Sequence, residues 1–302
     1  MGRMSILFNP RRLTAAFLAR YCNWLPEDTF LKWRYRLLMN APLNLDNPKT
    51  FTEKIQWLKL YDRKPIYKMM VDKALAKDFV AERIGKEYVI PTYGVWDKFD
   101  DIDFSKLPNQ FILKSTNGGG GTGVAICQDK SSFDFGRAKS QLGKSMRDGT
   151  RNLQGEWVYE GLKPKIIAEE LLRDVEDGDL KDYKFFCFNG KVKYLAVHAG
   201  RFSEHFSNYY DSEWNLQNWG FDCPIQLSHV FQCPANFEEM KSIAEKLSFG
   251  HKFLRVDLYN VEGKIYFGEL TFYPDSGFGK FTPKEWDRKL GDLIHLEETG
   301  SM

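Results

Sequence analysis

The stretch Phe111-Ile-Leu-Lys-Ser-Thr-Asn-Gly-Gly-Gly-Gly-Thr-Gly-Val124 constrains this chain more than any other. Apolar residues run into Lys114, a glycine-rich segment follows, and a second apolar run starts at Val124. That order predicts strand, tight loop, strand. Consecutive glycines let a backbone approach a ligand closely and turn its N–H groups toward it. Lys114 adds a positive charge at the loop entrance, and the combination suits the phosphates of a nucleotide. No Gly-Lys-Ser/Thr closes the loop and no helix clearly follows, so it is not a Walker loop. Taken alone, the stretch also reads as a flexible hairpin tip.

The 302 residues are enough for two subdomains and a sizeable core. A net charge of only +2 gives no general polyanion-binding signature. Cys22, Cys127, Cys187, Cys223 and Cys233 are odd in number, widely spaced and lack a CxxC pair. That usage implies reduced thiols in the cytosol and argues against a disulfide framework or a zinc site. The histidines form no HxH or HExxH spacing, and His198 and His205 read as substrate-loop or structural residues rather than metal ligands. No apolar run is long enough to cross a bilayer, and the N-terminus carries no apolar segment followed by a cleavage site.

Residues 4–40 are helical in pattern and basic: Arg3, Arg11, Arg12, Arg20, Lys32, Arg34 and Arg36 meet only Glu27 and Asp28. Leu7, Phe8, Leu13, Phe17, Leu18, Tyr21, Trp24 and Leu25 supply an apolar stripe. Such a helix can lie on an anionic membrane surface; a packed helix pair with a solvated basic face is the other reading. Thr50 and Glu53 form a capping box that opens a helix to about residue 60. A further helix is predicted over 64–84 and a strand from Tyr88. Residues 133–146 read as a helix, 165–172 as a buried strand, and 184–188 with 192–197 as a hairpin about Asn189-Gly190. The segment 200–235 reads as irregular. Its Phe202, Phe206, Tyr209, Tyr210, Trp214 and Trp219 suit either sugar stacking or core packing. Helices are predicted over 237–247 and 286–294.

The second constellation is the hairpin 253–259/264–270. A three-residue loop at Val261-Glu262-Gly263 would pair Asn260 with Lys264, Asp257 with Phe267 and Arg255 with Glu269. Alternation then puts Arg255, Asp257, Glu269 and Thr271 on one face. Two acids and an arginine on a sheet face are costly without a purpose. Hard oxygen ligands suit Mg²⁺ bridged to phosphates; a salt-bridged sheet surface is the alternative. Ser276-Gly-Phe-Gly279 follows and can offer backbone N–H groups to an oxyanion.

The two constellations together resemble the ATP-grasp superfamily, collinearly from about Asp72 to Pro274. The resemblance implies an α+β fold in which two subdomains clasp ATP. Lys73 resembles the first ATP-grasp lysine and Lys114 the second, ahead of a lid loop of Asn117, Gly118, Gly119, Gly120, Gly121, Thr122 and Gly123. Ala168-Glu169-Glu170-Leu171-Leu172 resembles the hinge that holds adenine, so that Glu169 or Glu170 would meet adenine or ribose. Asp257 and Glu269 resemble the paired metal acids. Thr271 stands where the superfamily commonly has asparagine, a weaker metal or phosphate donor. Arg255 resembles the arginine of D-alanine ligases that contacts the reacting phosphoryl group. Asp182 and Lys184 are implied in nucleotide or phosphate contact, and Arg201 as a cation near the transferred phosphate.

A narrower resemblance covers nearly the whole chain. Asn47-Pro-Lys-Thr-Phe-Thr-Glu-Lys54, Val71-Asp-Lys73, Asp182-Tyr-Lys-Phe-Phe-Cys-Phe-Asn-Gly190 and Pro283-Lys-Glu-Trp-Asp287 are similar to the ATP-grasp family of teichuronopeptide biosynthesis. Asn117 departs from the His-Gly-Ser-Gly loop common there. The resemblance implies a helical N-terminal region (1–86), a lid subdomain (87–168) and a core subdomain (169–302). It further implies a cytoplasmic carboxylate–amine ligase using ATP and Mg²⁺. Its substrates would be a uronic acid of a bacterial surface polysaccharide, or of its precursor, and an amino acid. Rival readings are a phosphotransferase acting on a glycan hydroxyl and a non-catalytic nucleotide-binding protein. No nucleic-acid partner is implied.

Overall fold

The computed structural model describes residues 10–22, 24–118, 123–149, 154–173, 180–200 and 204–296. The basic N-terminal pattern forms helices α1 (Pro10–Tyr21) and α2 (Glu27–Met39), packed around Ala19, Phe30, Leu31 and Tyr35. Helix α2 ends at Asn40 in the left-handed conformation, a common helix stop. Helix α3 (Phe51–Tyr61) begins at the expected capping box. The Glu53 amide donates to Thr50 Oγ1 at 3.2 Å, and the Thr50 amide donates to Glu53 Oε2 at 3.0 Å. A cap of this kind is worth about 1 kcal/mol.

The single helix expected over 64–84 is two helices, α4 (Ile66–Val71) and α5 (Leu75–Ile84). Asp72 causes the break, because its Oδ1 accepts from the amides of Ala74 (2.9 Å) and Leu75 (3.0 Å) and so caps α5. The Lys73 amide leaves the helical ladder and donates to the Thr116 carbonyl at 3.0 Å. This kink holds Lys73 against the glycine-rich loop.

Strands β1 (Thr92–Trp96), β2 (Phe111–Ser115), β3 (Val124–Cys127) and β4 (Ile166–Glu169) form an antiparallel sheet in the order β1-β4-β2-β3. Helix α6 (Phe135–Gly149) covers one face. Phe111, Leu113, Ala125, Cys127, Ile166 and Ala168 meet Ala138 and Leu142 there in a separate small core. Strand alternation sends Lys114 to the other face. Glu169 pairs with Ile112 and Ile167 with Lys114, so Glu169 shares the face of Lys114.

A second antiparallel sheet has the order β11-β10-β5-β6-β7-β8. Its strands are β5 (Asp182–Phe188), β6 (Lys191–Ala199), β7 (Phe206–Asp211), β8 (Leu216–Gln217), β10 (Phe253–Val261) and β11 (Lys264–Thr271). Asn189 (φ 50°) and Gly190 (φ 74°) both take positive φ between β5 and β6, as a two-residue hairpin turn requires. Strands β9 (Gly220–Phe221) and β12 (Phe281–Thr282) pair with each other, and helices α7 (Phe237–Ser248) and α8 (Glu285–Asp292) complete the fold.

The β10–β11 register differs from the expected one. The turn has two residues, Glu262 (φ 51°) and Gly263 (φ 80°), and Val261 pairs with Lys264. An irregularity at Gly268 then shifts the pairing, so Asp257 faces Glu269 and Arg255 faces Thr271. A side chain at Gly268 would stand 3.0 Å from the Asp257 carbonyl. The four residues still share one face, for a different reason.

The segment 200–235 is also more ordered than its pattern suggests, since β7, β8 and β9 fall within it. Strand β7 is buried on both faces from Ser207 to Tyr210, which erases polar alternation. Tyr209, Tyr210 and Trp219 lie in the main core, and Phe206 and Trp214 pack against it. That environment favours core packing over sugar stacking for these aromatics. Phe51 of α3 meets Phe188, Phe221, Phe253 and Phe281 edge-on in the same core.

Candidate active site

Two charged clusters stand out, one on each of the larger sheets. In the first, buried Glu169 forms ion pairs with two lysines: Lys77 Nζ at 2.5 Å and Lys114 Nζ at 2.7 Å. Burial opposes ionisation of Glu169, but the Lys114 and Lys77 charges outweigh it and hold the carboxyl below the usual glutamate range. One carboxylate between two ammonium groups leaves surplus positive charge, which is suited to a polyphosphate. Glu169, one of the two acids expected at adenine or ribose, pairs with Lys77 and Lys114. Glu170 is half-buried and its amide donates to the Pro91 carbonyl at 3.0 Å. Leu171 and Leu172 continue the chain half-buried beyond β4.

The glycine-rich loop is anchored at both ends. The Thr116 amide donates to the Lys165 carbonyl (2.9 Å), and the Ser115 amide to the Gly123 carbonyl (2.9 Å). Gly123 has φ 72°, and a Cβ there would sit 2.2 Å from Ser145 Oγ, so glycine is required at that position. Asn117, expected in the lid loop, is buried and donates from Nδ2 to the Met146 carbonyl at 3.4 Å. It anchors the loop to α6. Lys73 Nζ donates to the Gly118 carbonyl. Gly119, Gly120, Gly121, Thr122 and Arg201 lie outside the described residues.

The second cluster is a row across three strands of the large sheet. Lys184 on β5 pairs with Asp257 on β10, which pairs with Glu269 on β11. Lys184 Nζ lies 2.6 Å from Asp182 Oδ2 and 2.5 Å from Asp257 Oδ2. Arg255 donates from Nε to Asp257 Oδ1 (2.7 Å). Its Nη2 donates to Asp257 Oδ2 (2.8 Å), Glu269 Oε1 (2.9 Å) and Thr271 Oγ1 (3.0 Å). Lys73 Nζ stands 3.9 Å from Glu269 Oε2 while donating to the Gly118 carbonyl, and so links this row to the glycine-rich loop. Burial works against the Arg255 charge, yet the Asp257 and Glu269 carboxylates more than offset it and raise the guanidinium above its usual range.

A short turn, Pro274–Gly277, borders this row. Asp275 (φ 45°) and Ser276 (φ 54°) are both left-handed, a conformation costly for residues with a side chain. Helix α3 holds it in place. Gln56 Nε2 donates to the carbonyls of Ser276 (3.0 Å) and Gly277 (2.8 Å), and buried Lys59 Nζ donates to the Ser276 carbonyl at 2.6 Å. Burial pushes the Lys59 ammonium down, against the pull of Glu156. Asp275 is reached by water yet crowded by protein. Burial raises its carboxyl above the usual aspartate range, against the charges of Arg255 and Lys184.

A family described as TupA-like ATPgrasp matches residues 53–295. The chain belongs to this ATP-grasp family. Among solved structures, it is similar to D-alanine–D-alanine ligase from Bacillus anthracis complexed with ATP. The identity is 16%, over 75% of this chain and 63% of that one, with a TM-score of 0.42. It is also similar to N5-carboxyaminoimidazole synthetase from Staphylococcus aureus complexed with ADP (14% identity, 91% and 65% covered, TM-score 0.47). A third is the L-amino acid ligase from Bacillus licheniformis (14% identity, 92% and 65% covered, TM-score 0.46). The chain thus spans less than two thirds of the length of each. No curated protein matches it.

As an ATP-grasp protein the chain is expected to take a divalent cation with the nucleotide, and the donors present fit Mg²⁺. Asp257 and Glu269 are hard carboxylate donors facing each other across two strands. Glu269 is partly open, and a carboxylate oxygen has room for a second partner. Thr271 Oγ1 is committed to Arg255. Sequence reasoning missed Lys77 and Asp275. Lys77 is one of several lysines on an exposed-looking helix, and only the fold brings it to Glu169. A Pro-Asp-Ser-Gly turn directly after the metal strand was the signal available for Asp275.

Proposed function

We propose that this ATP-grasp protein is a carboxylate–amine ligase working through an acyl phosphate. The reading is carried by one observation, the presence of both a lysine-rich lid cluster and a compensated carboxylate row, with Lys73 linking that row to the glycine-rich loop. Lys114, Lys77 and Lys73 bind the ATP phosphates, and Asp257 and Glu269 hold Mg²⁺. When bound, the ion neutralises charge on the phosphate oxygens. Arg255 and Lys184 steady the transferred phosphoryl group, and the left-handed turn at Asp275–Gly277 borders the acceptor. A carboxylate oxygen of the acceptor forms the new bond to the γ-phosphorus, and ADP leaves. An amine then attacks the acyl carbon and phosphate departs with that oxygen, and Asp275 takes the amine proton. Catalysis of this type is positioning and charge stabilisation.

The acceptor is proposed to be a uronic acid of a bacterial surface polysaccharide or its precursor, and the amine an amino acid, in the cytoplasm. Hydroxylamine should trap the activated acid as a hydroxamate, and ¹⁸O from the carboxylate should appear in the released phosphate. A stable phosphorylated sugar without label transfer would replace the ligase with a hydroxyl phosphotransferase.

We also propose weak docking of the N-terminal helices on anionic bilayers. Leu13, Phe17 and Tyr21, spaced by four on α1, are exposed, as are Trp24 (78%) and Trp33 (56%). Helix α1 carries Arg11, Arg12 and Arg20 and no acidic residue. Arg11, Trp33, Arg36 and Asn40 line a hollow of about 250 Å³. Among the described residues no helix is long and apolar enough to cross a membrane, so contact would be peripheral. Co-sedimentation with phosphatidylserine vesicles should fall with salt and in the Phe17→Ser/Trp24→Ser double variant. Binding insensitive to both, or self-association in place of vesicle binding, would remove the proposal.

A further inference from the structure

We propose that His198, His205 and Cys223 form a site for one divalent metal ion of the zinc class, separate from the carboxylate row. His198 lies near the end of β6, His205 just before β7, and Cys223 just after β9. One ligand atom from each lies within 4.8 Å of the other two. His198 Nδ1 and His205 Nε2 are 3.1 Å apart. Two nitrogens each bound to a tetrahedral zinc at about 2.0–2.1 Å stand roughly 3.3 Å apart, so the pair already spans nearly one edge of the coordination shell.

A hydrogen bond between the two imidazoles would also bring those nitrogens together. The Cys223 Sγ lies 3.9 Å from Nδ1, the other ring nitrogen of His205; a ring gives one ion only one nitrogen, so the convergence of the three residues rests on their clustering, with one ligand atom from each within 4.8 Å of the other two. Imidazole and thiolate together select zinc-class ions over Mg²⁺, which prefers oxygen. This ion is therefore chemically distinct from any held by Asp257 and Glu269. Three protein ligands leave a tetrahedral ion one position for water or a substrate oxygen.

The place in the fold gives that open position meaning. His198 pairs with Asp182 across β5–β6 and with Ser207 across β6–β7. Residues directly opposite share a sheet face, so His198 stands on the face that carries Asp182, Lys184 and Asp257. One strand spacing, about 4.8 Å, separates neighbours along such a row. The ion would sit beside the charged row, on the side away from Glu269. The sequence reading argued against zinc because no CxxC or HxH spacing exists. The three ligands are distant in sequence, and hairpin pairing is what brings them together. The proposal stands whether or not the chain is a ligase.

The test uses the full chain without an affinity tag, stripped of metal by chelator and titrated with Co²⁺. One equivalent should produce an intense near-ultraviolet thiolate-to-cobalt band that Zn²⁺ displaces. Cys223→Ser should abolish the band, and His205→Ala should weaken Co²⁺ binding by at least about tenfold. Cys233→Ser, at an exposed thiol that is not part of the cluster, should leave both unchanged. Circular dichroism checks that each variant is folded. A band that survives Cys223→Ser, a band lost in Cys233→Ser, or no cobalt binding by the folded wild-type chain overturns the site.

Discussion

At the lid, one carboxylate, Glu169, answers two lysines. In the large sheet, Asp182, Asp257 and Glu269 answer Lys184, Arg255 and Lys73. The lid cluster keeps surplus positive charge and can receive a polyphosphate as it stands. The sheet cluster is compensated, so a metal ion must compete with Arg255 and Lys184 for Asp257. Nucleotide affinity should therefore rest on the lid, and metal-dependent turnover on the sheet.

The largest expected effect is at the sheet. Asp257→Asn removes the charge that Lys184 and Arg255 share and should abolish Mg²⁺-dependent ATP turnover. Breaking a buried ion pair typically costs about 3–5 kcal/mol, so the thermal midpoint should fall as well. Full turnover in this variant would erase the distinction between the clusters. Lys114→Met comes next. Loss of a charge-assisted phosphate contact costs about 1.5–3 kcal/mol, or roughly ten- to a hundredfold in ATP affinity. Lys77 still pairs with Glu169 in that variant, so the fold should survive.

Glu169→Gln tests the lid through pH. The Glu169 carboxyl lies below its unfolded value once folded. Its ion pairs therefore stabilise fully above the unfolded value of about 4.3 and lose that contribution as pH falls toward the folded value. Wild-type thermal midpoints should drop over that acid window more steeply than those of the variant; parallel curves would mean that the lid pair contributes nothing. The smallest effect is expected from Thr271→Asn, since an amide oxygen can replace Oγ1 as an acceptor for Arg255. Turnover should stay within a few-fold, and inactivity would give the hydroxyl a role of its own.

Much of this contrast was legible in the sequence. The glycine-rich loop flagged Lys114, and alternation along 255–271 put Arg255, Asp257, Glu269 and Thr271 on one face. What stayed hidden depended on partners distant in the chain or on local exceptions. The irregularity at Gly268 changed the register without moving those residues off their shared face. Asp72 broke a helix whose apolar period ran on, and that break is what brings Lys73 to the loop. Lys77 gave no local sign of its pairing with Glu169, and the bond from Asn117 to the Met146 carbonyl of α6 is likewise visible only in the fold. The family model matches residues 53–295, and the string around Thr50 shows its capping box in the sequence but its further contacts only in the fold. It caps α3, and from that helix Gln56 and Lys59 hold the strained turn beside Arg255.

The division of labour between lid and sheet can be measured by titrating a non-hydrolysable ATP analogue into wild type, Lys114→Met and Asp257→Asn by calorimetry, with Mg²⁺ and with chelator. Lys114→Met should lose roughly ten- to a hundredfold in affinity under both conditions, and Asp257→Asn should lose affinity only when Mg²⁺ is present. Equal losses in the two variants regardless of Mg²⁺, or no nucleotide binding by the wild-type chain, would contradict it.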